Sequence, residues 1–550
     1  MKKLLKRCGK VLFFILLLLI SVLLIASFYI KQTFPMVTID ELYFYWNNGV
    51  TNSSMKVVWA AVSACIIPVL IIYLIYIFIL YDITFGHLKL SFLTNLLHNK
   101  KVKENKKKIG KIKENKSHSI QIYPFKITNN HRIISSIVVV LISGYIIFSN
   151  LNCVQFVRNT TAKSKFIEIN YVAPEETKVT FNEKRNLIFI TVESLETSFF
   201  TRKQGGYWNY EVIPELYSLL DDDDAVVFYN TDKHEQMTML AGTTWTTAGL
   251  VANSSGLPFK IPINGNEYHS ENFMNGAYTL GDLLEDNGYY NELISTAKTN
   301  FGGVNEYYTK HGNYNIIDIN NLKKFGFNIS KSEKNSWGFS DKYLFEIAKK
   351  RLGVISEQDQ PFNLQLITID THFPDGHKYS YTSKAFDTQY ENVYSTTSKQ
   401  IYDFIEWLKE QDYYDDTLIV IVGDHISMQE EYFTERGINT ADRYIYNCYI
   451  NSAVEPDKTE ERIYTELDTY PSIVAALGGE IDGNRLGLGI NLFSSQKTLI
   501  ERYGRKSIDE EIIKKSSFYN KKILGSDYEV MVKQVGLDDL LDEDDVEQKN

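Results

Sequence analysis

Residues 186–193 read NLIFITVE, an apolar run that stops on a glutamate. Two later runs end in the same way: LQLITIDT (364–371) before His372, and TLIVIVG (417–423) before Asp424 and His425. Runs rich in Ile, Leu and Val, without polar alternation, are typical of central strands in a parallel sheet that is covered on both faces. The carboxyl ends of such strands meet at one edge, where ligands bind in open α/β sheets. We therefore expect these polar residues to lie together with Glu193 and to form a metal site.

Helical segments alternate with these strands. Thr279–Tyr289 has apolar positions at helical spacing and precedes the strand-like Tyr290–Ser295, and Ser395–Gln411 repeats this pattern before the strand at Thr417. Such alternation predicts a doubly wound domain of the α/β class, with α/β/α layers, rather than a sandwich or a helical bundle.

Three charge-free apolar runs occupy the first 150 residues, at positions 11–30, 57–81 and 133–149. Their lengths suit a hydrocarbon layer of about 30 Å, so they predict three membrane helices. The alternative for the first run is a cleaved signal peptide, but the run is longer than a signal sequence needs and no small-residue cleavage site follows it.

The distribution of charge predicts the orientation. The loop 82–132 carries twelve Lys or Arg and three acids, and the positive-inside rule places it in the cytoplasm and residues after 150 outside. The basic loop 82–132 lies either against anionic lipid headgroups or in solvent as a linker. Residues 151–550 carry 39 Lys or Arg against 63 acids, which argues against nucleic-acid binding.

These boundaries predict four regions: the anchor 1–150, a linker 151–183, an extracytoplasmic catalytic domain 184–500, and an extension 501–550 with an acidic tail. Of the four cysteines, only Cys153 and Cys448 would face the outside. An outer region of this size with at most one disulfide depends on its apolar core for stability.

A nucleophile for phosphoryl transfer would best lie at the start of a helix, where backbone N–H groups stabilise phosphate. The segment 242–258, GTTWTTAGLVANSSGLP, offers such a position. Four threonines compete for the role: Thr243, Thr244, Thr246 and Thr247. Taken alone, a threonine-rich stretch is more often used for capping and packing.

The order of five motifs resembles the membrane-bound phosphoglycerol transferases. The motifs are VESLE (192–196), the segment 242–258, TIDTHFPDG (368–376), GDH (423–425) and LDTYPSIVAALGGEIDGNRLGLGINLF (467–493). That family includes the lipoteichoic acid synthases and the enzymes that modify periplasmic glucans, and it belongs to the alkaline phosphatase and sulfatase superfamily. The resemblance therefore implies a sulfatase-like α/β/α domain.

By position, the resemblance implies roles for five residues. The metal ligands fall on Glu193, Asp424 and His425, and the nucleophilic threonine, itself a metal ligand, falls on Thr246. Thr247 is the second candidate for the nucleophile. His372, in the pattern T-x-x-x-H-x-P that begins at residue 368, would contact the substrate phosphate.

The chain departs from the lipoteichoic acid synthases at residues 300–307, NFGGVNEY, where those enzymes carry a tryptophan and an arginine that hold glycerol phosphate. The glycines here are closer to the glucan-modifying branch. Transfer of single groups to a glycan is therefore expected rather than polymerisation. Residues 337–341, WGFSD, also resemble a family motif, with either a structural or a pocket-lining role.

The expected reaction is the metal-dependent transfer of phosphoglycerol through a phosphothreonine. The resemblance implies phosphatidylglycerol as the donor and a surface or periplasmic glycan as the acceptor, with the chain embedded in membrane lipid. Manganese is the expected metal, and magnesium and zinc also suit the ligands. The alternatives are a phosphoethanolamine transferase of the same superfamily and a non-catalytic protein that binds a glycan or a partner; a hydrolytic sulfatase lacks its modified Cys or Ser motif here.

Overall fold

The computed structural model of the protein describes residues 2–33, 37–39, 41–42, 59, 61–77, 129–260 and 273–525. Most of the basic loop and the acidic tail, both expected from the sequence, lie outside these residues. The chain divides into two units, one formed by Met1–Gln32 and Trp59–Val154 and the other by Thr33–Val58 and Gln155–Asn550.

The first unit consists of apolar helices. Within the described residues, one helix is long and apolar enough to cross a membrane, Val11–Thr33, or two if the bent pair Ile134–Asn150 and Cys153–Thr161 counts as one span. The second expected run contains the shorter helix Ala61–Ile77. An N-terminal apolar helix is therefore present, as a membrane anchor requires, whereas three complete spans stay a prediction.

The second unit contains a seven-stranded sheet with the strand order β3-β9-β8-β2-β7-β5-β6. Five of these strands, β2, β5, β6, β7 and β8, run parallel to their neighbours in that group, and β9 is antiparallel to both β8 and β3. The strands are β2 Asn186–Val192, β3 Ala225–Val226, β5 Tyr290–Ser295, β6 Asn315–Ile317, β7 Phe362–Ile367, β8 Thr417–Gly423 and β9 Asn447–Ile450.

Among the residues that the structure describes, three two-stranded sheets accompany the main one. They pair β1 Val179–Phe181 with β11 Gly479–Ile481, β4 Met237–Thr238 with β10 Tyr464–Thr465, and β12 Arg485–Leu486 with β13 Gly489–Ile490. The first pairing connects part of the expected linker 151–183 to the region 184–500, and helices Cys153–Thr161 and Phe166–Asn170 lie in the same linker.

The side chains on both faces of β2 are buried, which indicates that other elements cover the main sheet on both sides. Ile188 and Ile190 belong to one apolar cluster, with helices Asp341–Ile355 and Gln389–Lys409, whereas Leu187 and Phe189 belong to another on the opposite face. The expected α/β/α architecture is confirmed. The other helices of this unit are Pro214–Leu219, Thr246–Ser255, Leu280–Asp286, Val304–Lys310, Glu430–Thr434, Thr469–Ala476, Leu499–Tyr503 and Arg505–Ile512, and the unit also contains a π-helix, Tyr519–Ile523.

Disulfides do not contribute to this core among the described cysteines. Cys65, Cys153 and Cys448 are free, and Cys448 is buried in the first apolar cluster of the sheet.

Candidate active site

The carboxyl ends of the central strands are aligned at one edge of the sheet. Thr191 of β2 pairs with Ile367 of β7, and Val192 pairs with Gly423 of β8. The residues that follow β2 and β8, Glu193 and Asp424, are therefore neighbours although they lie far apart in the sequence.

Glu193, Asp424 and His425 form a buried cluster whose ligand atoms lie within 4.8 Å of one another. His425 Nε2 is 3.6 Å from Glu193 Oε1 and 3.4 Å from Asp424 Oδ2. The three side chains are at most 1% exposed. Two carboxylates and one imidazole are a donor set that suits a divalent cation.

Two of these ligand atoms lack protein partners. Asp424 Oδ2 and His425 Nε2 are buried and accept or donate no hydrogen bond within the described part of the chain. His425 Nδ1 lies 2.7 Å from the carbonyl oxygen of Ile426, which can only accept, so Nδ1 carries the proton and Nε2 keeps its lone pair. A cation would satisfy both orphaned atoms, so the residues fit a metal.

The electrostatics of the cluster follow from its burial. Burial and the charge of Glu193 raise the pKa of Asp424 to about 7. Burial opposes the charge of Glu193 as well, but His372 and His425 hold the pKa of Glu193 below its ordinary value. Carboxylates this close repel each other, and a divalent cation would remove that repulsion.

Thr246 is the first residue of the helix Thr246–Ser255 and faces the cluster. Its hydroxyl donates a hydrogen bond of 3.1 Å to Glu193 Oε2, and its side chain is partly exposed. Thr247 is buried and points elsewhere, because a Cβ on Gly302 would lie 2.6 Å from Thr247 Oγ1. The geometry thus favours Thr246 over the second candidate.

The two earlier threonines have structural partners. Thr243 Oγ1 donates to Glu466 Oε1 at 2.8 Å, and Thr244 Oγ1 donates to Glu41 Oε1 at 3.1 Å. Burial raises the pKa of Glu466 to about 8. These bonds hold the loop that carries Thr246.

His372 lies beside the cluster rather than in it. It follows β7 by five residues and is partly exposed. His372 Nδ1 is 2.6 Å from the carbonyl oxygen of Phe373, so Nδ1 is the protonated nitrogen and Nε2 remains for a substrate. The ring of Trp337 lies 4.9 Å from the His372 ring.

Ser194 joins two of the ligands. It has a left-handed backbone, with φ of 55°, and its backbone N–H donates to Asp424 Oδ1 at 2.7 Å. Its hydroxyl donates to Glu193 Oε1 at 2.7 Å. Strained backbone of this kind is found where a site fixes its geometry, and here it orients both carboxylates.

Arg443 connects the loop that follows Glu193 to the loop that follows His425. Its Nε and Nη2 bond the two carboxylate oxygens of Glu196 at 2.8 Å each, Nη1 bonds Glu430 at 2.9 Å, and Nη2 bonds the carbonyl of Ser427 at 2.7 Å. Glu196 follows Glu193 by three residues, and Ser427 follows His425 by two. Glu196 is the last residue of the VESLE motif, but no local sequence pattern indicates that Arg443 is its partner.

Two buried aspartates support the loop before His372. Asp341 accepts from the backbone N–H groups of Ile369 and Asp370 at 2.8 and 3.1 Å, and Asp370 accepts from the N–H of Asp341 at 2.9 Å. Burial raises the pKa of Asp341 to about 7. Asp341 ends the WGFSD segment, whose last residue is thus structural.

A family model described as Sulfatase matches residues 185–479, more than half of the chain. Phosphoglycerol transferase I of Salmonella choleraesuis (strain SC-B67) is 30% identical over 338 residues, which are 58% of this chain and 41% of that relative. The Shigella flexneri enzyme of the same name is 29% identical over 338 residues. The chain therefore spans less than half the length of these relatives.

Two solved structures resemble the chain more distantly. The lipoteichoic acid synthase LtaP from Listeria monocytogenes has 18% identity and a TM-score of 0.45, and the match covers 60% of this chain and 81% of that one. The lipooligosaccharide phosphoethanolamine transferase A (EptA) from Neisseria meningitidis has 14% identity and a TM-score of 0.46, with coverage of 85% and 84%.

Proposed function

The chain belongs to the sulfatase family of the alkaline phosphatase superfamily, and from that premise we propose that it transfers phosphoglycerol from phosphatidylglycerol to a cell-surface or periplasmic glycan. The names of the relatives at 30% identity support the transferred group. In this proposal phosphatidylglycerol donates the phosphoglycerol group and the glycan accepts it.

One contact carries the proposal: the hydrogen bond from the Thr246 hydroxyl to Glu193. A hydroxyl at a helix start, beside buried carboxylates and an imidazole with orphaned atoms, is arranged as an activated nucleophile. A binding protein without catalysis has no use for that arrangement.

Glu193, Thr246, Asp424 and His425 would hold the metal. A divalent cation there supplies Lewis-acid chemistry, since it lowers the pKa of a bound hydroxyl and neutralises charge on a phosphate. We assign manganese first, because hard oxygen ligands with one imidazole suit it; magnesium and zinc are the alternatives.

The residues divide the reaction into two displacements. The Thr246 hydroxyl, which is partly exposed, releases its proton to solvent as its oxygen bonds to phosphorus, and the bond from phosphorus to the diacylglycerol oxygen breaks. In its imidazolium form His372 keeps the Nδ1 proton on the carbonyl oxygen of Phe373 and gives its Nε2 proton to that leaving oxygen. A glycan hydroxyl then returns a proton to Nε2 and attacks the phosphothreonine, and Thr246 leaves and takes a proton from solvent.

Membrane attachment supports a lipid donor. The apolar helix Val11–Thr33 suits an anchor, and a lipid headgroup must be reached at the membrane surface. We assign three spans, with the catalytic domain outside the cell membrane, from the apolar runs and the basic loop of the sequence.

The function is tested with the purified full chain, manganese, an acceptor glycan and phosphatidylglycerol labelled in its headgroup glycerol. The label is expected on the glycan, with one diacylglycerol released for each transfer. A chelator should stop the reaction and manganese should restore it. A parallel reaction with headgroup-labelled phosphatidylethanolamine is expected to transfer little.

Label that remains on the lipid under these conditions would contradict the proposal. Transfer from phosphatidylethanolamine alone would make the chain a phosphoethanolamine transferase. Release of free glycerol phosphate, with no label on the glycan, would make it a hydrolase.

A further inference from the structure

A short segment that follows the first apolar helix lies against the loop of the nucleophile. The helix Val11–Thr33 is followed by residues 37–42, of which the structure describes all but residue 40. This segment belongs to the same compact unit as the loop 240–246, which carries Thr246. Its contact with the loop is therefore part of the fold of that unit.

Glu41 is oriented by one helical turn. Its backbone N–H donates to Thr38 Oγ1 at 3.3 Å, and the backbone N–H of Thr38 donates to Glu41 Oε2 at 3.0 Å. The N–H of Leu42 donates to the carbonyl oxygen of Thr38 at 3.1 Å. The reciprocal pair is a capping box, which fixes the direction of the glutamate side chain. The other carboxylate oxygen, Oε1, can then meet a partner outside the turn.

That partner is Thr244, two residues before the nucleophile. Thr244 Oγ1 donates to Glu41 Oε1 at 3.1 Å, and Glu41 is only 7% exposed. The residue between Thr244 and Thr246 is Trp245, which has an extended backbone and is 4% exposed. Its ring lies 5.6 Å from the ring of Phe259 in an apolar cluster. The bond to Glu41 and the buried indole together fix the backbone that enters the helix at Thr246.

The helix of the nucleophile has no side-chain cap. Its N-cap residue is Trp245, whose side chain makes no capping hydrogen bond. A cap would occupy backbone N–H groups that a substrate phosphate can use, so the helix start has to be fixed by the residues before it. Thr244 is fixed by Glu41, and Thr243 is fixed by Glu466 at 2.8 Å.

We propose that Glu41 is a positioning residue for the nucleophile, and that it holds the loop 240–246 so that the Thr246 hydroxyl meets the phosphorus of the donor. The effect on transfer rests on the proposed function, whereas the effect on the loop does not. Glu41 acts through Thr244. The residues that follow the helix Val11–Thr33 thereby support the active site as well as connecting it to the anchor.

The kinetic test measures the first displacement in the full chain with manganese. Diacylglycerol release from phosphatidylglycerol is followed in the absence of an acceptor. We expect Glu41→Ala to lower the rate constant at saturation by roughly 10-fold or more, because a displaced nucleophile reacts slowly. The half-saturating lipid concentration should change by less than about 2-fold, since Glu41 acts on the nucleophile rather than on the lipid.

Glu41→Gln distinguishes positioning from a general loss of folding. The amide oxygen can accept from the backbone N–H of Thr38, and the amide nitrogen can donate to Thr244 Oγ1. We therefore expect Glu41→Gln to keep at least about half of the wild-type rate constant. Thr244→Val removes the same bond from the other side and should cause a loss like that of Glu41→Ala. The double variant should lose no more than either single variant.

Glu480→Ala is the matched control. Glu480 Oε1 accepts from Asn182 Nδ2 at 3.1 Å, so this glutamate also joins a preceding segment to the rest of the unit, but it is exposed and lies on β11. The control should leave the rate constant unchanged. An unchanged rate constant in Glu41→Ala, an equal loss in Glu480→Ala, or additive losses in the double variant would overturn the inference.

Hydrogen–deuterium exchange separates this inference from the proposed function, because it needs no turnover. In the manganese-loaded full chain we expect residues 240–246 to exchange roughly 3- to 10-fold faster in Glu41→Ala. Exchange in Glu41→Gln and Glu480→Ala should equal that of the wild type. If no chain reacts with phosphatidylglycerol but this pattern appears, the proposed function fails and the support of the loop by Glu41 stands. Unaltered exchange in Glu41→Ala overturns the inference whether or not the lipid reacts.

Discussion

The candidate site has a side that carries the candidate metal ligands and a side that carries Thr246 and His372, and the two differ in the solvent exposure of their side chains. Glu193, Asp424 and His425 are at most 1% exposed, whereas Thr246 and His372 are partly exposed. The ligand side is built on the ends of paired parallel strands, and the other side on loops and a helix start. The sheet thus positions the candidate metal ligands, and the loops carry the residues proposed to contact the substrate.

The two sides also differ in what stabilises them. Arg443 and Glu196 form a bidentate pair beneath the ligand side, with both side chains fully buried. The substrate side depends on glycine-containing turns, in which Gly302 and Gly338 allow close contacts. Substitutions on the ligand side should therefore change metal binding and stability, and those on the other side should change turnover and selectivity.

The largest effect is expected for Thr246→Ala, which removes the proposed nucleophile. We expect the transfer rate to fall by about 10⁴-fold or more, because no other hydroxyl replaces an attacking group of this kind. Manganese affinity should fall much less, since three ligands remain. The measurements are diacylglycerol release and metal calorimetry. Thr247→Ala is the matched control, and an equal loss of activity there would break the assignment.

The next effect separates the ligand side from the substrate side. Glu193→Gln should weaken manganese binding by at least about 100-fold, because changes to groups outside the ligands already cost roughly 10- to 100-fold. His372→Ala should keep the wild-type affinity and lower kcat by roughly 10²- to 10⁴-fold. Calorimetry and turnover check both. A loss of metal affinity in His372→Ala would show that the two sides are not separate.

Arg443→Met tests the support of the ligand side. It leaves Glu196 buried without its partner, so we expect a loss of about 3 to 5 kcal/mol in the free energy of unfolding. The double variant Arg443→Met with Glu196→Gln should recover most of that loss. Denaturant unfolding of the catalytic domain in the full chain measures both. A double variant no more stable than Arg443→Met would contradict this role for the pair.

The smallest effect concerns the loop before Thr246. Burial raises the pKa of Glu466 to about 8 in the folded chain, above the value near 4.3 of an unfolded glutamate. The folded state therefore binds one more proton between these values, and stability is lost as the pH rises through that window, by up to about 1.4 kcal/mol per pH unit.

Glu466→Gln keeps the shape of the side chain without a titrating group. Its unfolding free energy should fall less steeply between pH 5 and 8, by about one proton's contribution. Unfolding curves across that range, with a chelator present, give the slope. The same slope in wild type and Glu466→Gln would mean that another group titrates.

Much of the sheet could be predicted from the sequence. The runs at 186–192, 290–295 and 417–423 match β2, β5 and β8 residue by residue. Almost every side chain of these strands is buried, so a run of Ile, Leu and Val is enough to indicate them. The strands also predicted that Glu193, Asp424 and His425 lie together, and the structure places them within 4.8 Å of one another; their role as metal ligands stays a prediction.

Other features depended on contacts that no local pattern carries. The run 364–371 was expected to be one strand, but β7 ends at Ile367, because Asp341 binds the backbone of Ile369 and Asp370 in a separate loop. The antiparallel β9 and the partner of Glu196, Arg443, were not expected either. Such pairings join residues distant in the sequence and leave no periodic signal.

Detection of the covalent intermediate tests the proposed reaction most directly. The full chain with manganese is incubated with phosphatidylglycerol in the absence of an acceptor, quenched in acid, digested and sequenced by mass spectrometry, with Glu193→Gln as the control. We expect a phosphoglycerol group on Thr246 in the wild type and none in the control. Diacylglycerol release with an unmodified Thr246, or with the group on Thr247, would contradict it.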